Sequence, residues 1–116
     1  MTESEDCLFC RIRDGEIPGE FVHRDDKAFA IRDISPRAPV HILIIPTEHI
    51  PSVGEITDAQ LPVMGTLTGI ANRLAKSEGI SESGYRLAIN NGPDAHMTVP
   101  HLHMHLIGGR SLGAEG

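Results

Sequence analysis

The chain has 116 residues, 40% hydrophobic and 22% charged. That is the length of one domain (residues 1–116) with its own core, and an ordinary globular composition. Its formal charge is −6 with neutral histidines and no basic run or Lys/Arg stripe is present, which argues against a nucleic-acid polymer as partner, because phosphate-backbone binding needs clustered positive charge. No apolar stretch approaches the roughly 18 residues of a membrane span, and the acidic opening from Met1 to Asp6 does not read as an export signal. A reducing, cytoplasmic setting is therefore expected.

In chain order, Cys7 to Asp14 reads as a short helix capped by Asp6 and stopped at Gly15. Ile17-Pro18-Gly19 is a turn. Phe21–His23 and Ala28–Arg32 are short strands joined through Arg24-Asp25-Asp26-Lys27 as a hairpin. Two prolines punctuate a loop from Asp33 to Pro39. Val40–Ile45, apolar except for His41, reads as a central strand ended by Pro46. Thr57 and Gln60 have capping-box spacing. Leu61, Met64, Leu67, Ala71, Leu74 and Ala75 then recur at helical period up to Gly79, with Pro62 able to delay the start. Tyr85–Asn90 is a strand, Asn91–Pro100 an irregular loop and His101–Ile107 the last strand before Gly108-Gly109. The predicted architecture is α+β, a five-stranded, mostly antiparallel sheet with one long and one short helix.

The last strand carries the chemistry. In His101-Leu102-His103-Met104-His105-Leu106 the period is two, so Leu102, Met104 and Leu106 share a core face and the three histidines share the other, expected to face solvent. A solvated polar face needs no such row. Histidine titrates nearest neutrality and is the commonest metal ligand, leaving two functional readings. One is a chelating His-x-His metal site. The other is nucleophilic catalysis, in which a neutral imidazole attacks phosphorus while its neighbours set its tautomer. At the other end, Cys7-Leu8-Phe9-Cys10 places two thiols at a spacing that grips zinc. Unpaired buried thiols and a redox pair are the alternatives, though no thioredoxin-like context follows.

His-x-His-x-His followed by apolar residues resembles the signature of the histidine triad superfamily. Asp33-Ile34-Ser35-Pro36, Ala38-Pro39, His41, Ile45-Pro46 and His49-Ile50 are similar to the first block of its Hint branch. Tyr85-Arg86, Asn90, Gly92, Val99, the triad and Gly108-Gly109-Arg110 are similar to the second. The resemblance runs from Phe9 to Arg110. It implies hydrolysis of purine nucleoside 5′-phosphoramidates at the P–N bond through a nucleotidyl-histidine intermediate, releasing AMP or GMP, by a homodimer whose sheets join into ten strands. No organic cofactor is implied.

Position by position, the resemblance makes His103 the nucleophile. His105 would be a phosphate-oxygen donor, His101 a supporting residue that orients its neighbours, and His41 a fourth histidine beside the triad. It makes Asp33 the acid that accepts from the ribose hydroxyls, which suits a carboxylate, although Asp before Ser-Pro is commonly a turn residue. Phe9, Ile12, Ile31 and Ile34 match base-pocket positions and otherwise read as core. Asn90 matches a phosphate-side residue. Some bacterial relatives bind structural zinc with two Cys and two His at the positions of Cys7, Cys10, His49 and His101.

Two stretches depart from the family pattern. His96-Met97-Thr98-Val99 stands where Gly-Gln-x-Val is usual, and a thioether cannot donate a hydrogen bond. His96, Thr98 or a backbone N–H is expected to take over, with Met97 at the same nucleotide-side position. The tail, Ser111 to Gly116, lacks the aromatic residues found in some relatives. The rival readings are a diadenosine polyphosphate hydrolase, a zinc-stabilised nucleotide-binding or scaffold protein with little catalysis, and, more distantly, a catalytic metallohydrolase.

Overall fold

The structure, a computed structural model, describes residues 7–115. Helix α1 (Leu8–Arg13) leads into β1 (Phe21–Arg24), β2 (Ala28–Arg32) and β3 (Val40–Pro46). Short 3-10 turns at Val53–Glu55 and Asp58–Gln60 precede the long helix α2 (Pro62–Ser77). Then come β4 (Tyr85–Ala88), a 3-10 turn at Pro93–Ala95 and β5 (Met104–Gly108). The five strands form one antiparallel sheet in the order β1-β2-β3-β5-β4, the predicted α+β architecture.

Local chemistry explains the boundaries. The cap of α1 is Cys7, whose Sγ accepts the Cys10 N–H at 3.3 Å; the expected cap, Asp6, lies outside the described residues. At the hairpin, Asp25 Oδ1 accepts from the backbone of Lys27 and Ala28, the local bonding that makes Asp a turn former. Gln60 does reach back to the Thr57 N–H at 3.0 Å, but this closes the 3-10 turn. The long helix starts at Pro62, where a missing N–H costs nothing. It ends with Gly79 at φ +77° and the Ile80 N–H bonded to Ala75 O, a Schellman stop.

Alternation along the strands splits the interior into two layers. On one face, Ala28, Ala30, Val40, Ile42, Ile44, Met104 and Leu106 pack under α2 through Leu67, Ile70, Ala71 and Leu74. On the other, Phe29, Ile31, Leu43 and Ile45 meet α1 through Phe9, Cys10 and Ile12. Because β3 is covered on both faces, its sequence is an apolar run interrupted only by His41. β4 is shorter than predicted.

The last strand differs from expectation in two ways. The ladder holds only Met104–Gly108. His101 and His103 lie just before it, in a segment tied by Leu102 N–H to Ile50 O and His101 N–H to Val99 O. The histidine face is also not solvated: His101 is 0% exposed and His103 and His105 are 8% exposed. α1 folds across this face, and a cover from distant sequence leaves no trace in the period of the strand it covers.

Candidate active site

The carbonyl of His101 accepts from His103 Nδ1 at 2.7 Å. A carbonyl can only accept, so the proton of neutral His103 sits on Nδ1 and the lone pair on Nε2. Phe9 holds this ring edge-to-face, centroids 4.9 Å apart.

A second chain of bonds starts in the Asp33–Pro39 loop. The Arg37 backbone N–H donates to His41 Nδ1 at 3.1 Å. Neutral His41 therefore carries its proton on Nε2, which donates to His105 Nδ1 at 2.9 Å. That puts the His105 proton on Nε2, a buried atom without a hydrogen-bond partner among the described residues. The ladder pairs His105 with Leu43 and His41 with Ile107, so β3 and β5 hold both rings on one face. The strand polarity of His41 is thus explained by a buried histidine partner.

Asp33 sits at the mouth of this chain. Its Oδ1 accepts the Ser35 N–H at 2.8 Å, the turn role, while Oδ2 lies 3.4 Å from His41 Nε2. Asp33, His41 and His105 offer three ligand atoms within 4.8 Å. The Arg37 N–H, however, fixes the proton on His41 Nε2, the atom a metal would need, so the cluster is a hydrogen-bond chain.

Burial keeps these imidazoles neutral. It pushes His105 down to about 4, helped by the neighbouring His103 and His41. Burial also lowers His41 and His103, opposed by the Asp33 charge. Unfolded, His105 takes up a proton below its ordinary 6.5 while the folded ring stays neutral to about 4. Stability is therefore present above 6.5 and falls as pH drops through that window, at up to about 1.4 kcal/mol per pH unit for this one group. Denaturant unfolding from pH 7 to pH 4.5 measures it. His105→Gln is expected to flatten the slope.

The rings border a cavity of about 310 Å³, which has an apolar side of Phe9, Ile12, Ile31 and Leu43. His103, His105, Asn90, Asp33, His96 and Thr98 supply its polar groups, the combination of an apolar surface with a few convergent polar atoms that marks a ligand site. Ile34 is 99% exposed at its rim. Three expected catalytic or nucleotide-binding residues lie outside the lining, among them His41, which reaches the cavity only through its bond to His105. Met97 is absent from the lining, because the turn at Pro93–Ala95 presents His96 and Thr98 instead. His101 is also absent, because its ring turns toward the cysteines. Sequence reading missed Leu8, Ile17, Pro18, Arg32, Arg37, Leu43 and Val99 as lining residues; for the apolar ones no signal distinguishes lining from core.

His96 has φ +59°, the only non-glycine residue with positive φ among those described. A left-handed L-residue costs on the order of 1 kcal/mol. Replacing His96 with Gly is expected to stabilise the fold by about 0.5–1 kcal/mol in denaturant unfolding, while removing a polar group from the cavity.

Behind the triad, Cys7, Cys10, His49 and His101 bring four ligand atoms within 4.8 Å of one another. Cys7 Sγ is 3.2 Å and His49 Nδ1 is 3.1 Å from His101 Nδ1, and Cys10 Sγ is 3.3 Å from His49 Nδ1. A tetrahedral zinc with ordinary Zn–S and Zn–N bonds has ligand–ligand edges of roughly 3.3–3.8 Å. The Pro46 carbonyl accepts from His101 Nε2 at 2.9 Å, leaving the Nδ1 lone pair facing the sulfurs, the tautomer control usual around metals. Burial pushes the Cys10 thiol up to about 12, so a nearby cation is what would make it a thiolate. The donor set fits a closed structural zinc site.

A HIT domain model matches residues 14–112. The chain is 44% identical over 110 residues to a purine nucleoside phosphoramidase of Escherichia coli (strain K12), covering 95% of this chain and 92% of that one. It is 41% identical over 109 residues to a 14 kDa zinc-binding protein of Brassica juncea, covering 92% and 96%. Among solved structures, a HIT family hydrolase from Clostridium thermocellum superposes with a TM-score of 0.92 at 45% identity, covering 96% of each chain.

Proposed function

This chain belongs to the HIT domain family, and from that premise we propose that it hydrolyses purine nucleoside 5′-phosphoramidates at the P–N bond. The observation that carries the reading is the pair of adjacent imidazoles. His103 offers an unprotonated Nε2, and His105, whose ring centroid is 5.1 Å away, offers an unpartnered Nε2–H. A nucleophile beside an unsatisfied donor is what a phosphoryl group needs, one atom to bond phosphorus and one to hold a non-bridging oxygen.

In the first step the His103 Nε2 pair bonds phosphorus and the P–N bond to the leaving amine breaks. The amine keeps that electron pair and takes a proton from water. Water then bonds phosphorus, its proton returns to solvent, and the pair comes back to Nε2 with release of AMP or GMP. His105 binds the phosphate oxygen throughout, and His41 holds its tautomer. Asp33 takes the ribose hydroxyls, and Phe9, Ile12, Ile31 and Ile34 take the purine. Asn90, Thr98 and His96 lie on the phosphate side, and the His101 carbonyl positions the nucleophile.

Zinc would be held by Cys7, Cys10, His49 and His101, where it supplies structure and has no open position for chemistry. Two buried free thiols of this kind suit the reducing cytoplasm. A homodimer joining two sheets through the free edge of β4 accounts for that half-buried edge strand.

The test is AMP release from an adenosine 5′-phosphoramidate against cleavage of diadenosine triphosphate. We expect kcat/KM to favour the phosphoramidate by on the order of 10²-fold or more. The reverse order would make the chain a dinucleotide hydrolase. AMP binding without turnover of either would make it a binding protein.

A further inference from the structure

A second cleft also borders His105. It is lined by Arg37, Arg86 and Arg110, by Ile107, and by tail residues Leu112 to Glu115. It shares Arg37, Asn90 and His105 with the nucleotide cavity, so a group leaving phosphorus beside His105 has a path into it. Three guanidiniums converge here in a chain whose net charge is −6.

These arginines are poorly neutralised. Arg110 donates to the carbonyls of Ser111 and Arg37, and Arg86 donates to Gly113 O. The Arg37 side chain is exposed and has no ion pair or hydrogen bond among the described residues. Among the described residues, the one carboxylate within ion-pair reach of these guanidiniums is the tail's own Glu115, with Oε2 3.9 Å from Arg86 Nη2. The chain thus lays one of its own anions against the cleft, at a spacing where a charge is attracted but not bonded.

We propose that this cleft is a leaving-group subsite that takes an anion, so that the preferred phosphoramidates carry a carboxylate on the departing amine. The inference rests on the proposed phosphoramidate hydrolysis for the position of phosphorus. Guanidinium groups hold carboxylate and phosphate alike through paired N–H donors. The shared chemistry is a negative group a few bonds beyond the scissile nitrogen. Glu115 is then a weak competitor of the incoming anion.

Two adenosine 5′-phosphoramidates, one of aspartate and one of ethanolamine, test this by kcat/KM on the full chain. The expected ratio favours aspartate by about tenfold at low salt, shrinks several-fold in 0.5 M salt through screening, and falls to about two in Arg37→Gln. Arg37→Glu is expected to invert it, and Glu115→Gln to raise it about twofold. A ratio of one or less in the native chain, or one unmoved by Arg37→Glu, would overturn the proposal. Calorimetric affinity of the same two ligands for His103→Ala protein reads the preference without chemistry. Tighter aspartate binding there, with no turnover in the native chain, would sink the hydrolase reading and keep the subsite. Equal binding would sink the subsite. Diadenosine triphosphate as a third ligand separates the anion's source: tighter binding than the aspartate compound would assign the cleft to phosphate.

Discussion

Replacing His103 with alanine is expected to lower AMP release by on the order of 10⁴-fold while AMP still binds within about threefold of native affinity. The expectation rests on roles that geometry separates. His103 is the imidazole whose Nε2 lone pair is left free by a carbonyl on Nδ1, whereas the other contacts a nucleotide would make lie on Phe9, Ile31, Asp33 and Asn90. On the proposed mechanism, loss of this imidazole removes the covalent route and leaves the binding surface. A graded series should accompany it. His105→Ala removes one donor to the developing charge and should cost about 10²–10³-fold. His41→Ala removes only the group that orients His105, and should cost about tenfold. The order His103, His105, His41 is the signature of the chain Arg37 N–H to His41 to His105. Quench-flow with a labelled phosphoramidate should find a covalent nucleotide on native protein and none on His103→Ala. A variant retaining a tenth of native turnover would remove His103 from the chemistry.

Cys10→Ser is expected to lower the melting temperature by roughly 10–20 °C, corresponding to about 3–5 kcal/mol for a domain of this size. The cluster joins three distant parts of the chain: α1 through Cys7 and Cys10, the residues after β3 through His49, and the segment before β5 through His101. A single ion bonded to all four would tie α1 down across the sheet, and with it Phe9, which packs against both His101 and His103. Without the cation, two imidazole nitrogens 3.1 Å apart face two buried sulfurs, an arrangement with little else to hold it. Metal analysis of the native protein should give one zinc per chain, and Cys10→Ser should give much less. Activity per folded molecule at low temperature should change far less than stability. Native protein without zinc, melting at the same temperature as Cys10→Ser, would leave the cluster as a pair of hydrogen-bonded thiols.

Much of this site was legible in the sequence because its signals are local. Alternation in the residues around Met104 separated core from site faces, and the structure puts Met104 and Leu106 in the layer under α2. His41 stood out as a polar residue in an apolar strand, which implies a buried partner, and His105 supplies one. The spacing of Cys7 and Cys10 pointed to a metal, and the fold brings His49 and His101 to them.

The tertiary structure alone decided exposure, tautomer and direction. The histidine face reads as solvated from the strand period, yet it is buried, because α1 closes over it from some ninety residues away in the chain. His101 and His103 share a parity in sequence, but one ring turns to the cysteines and the other to the cavity, since Leu102 is bonded to Ile50 instead of β3. Met97 leaves the cavity lining because a 3-10 turn ends in left-handed His96. Arg37, Arg86 and Arg110 are scattered through the sequence and converge only through the sheet order and the returning tail. Periodicity reports which side of a strand a residue is on. What lies across from that side is set by chain segments whose separation in sequence carries no local signal.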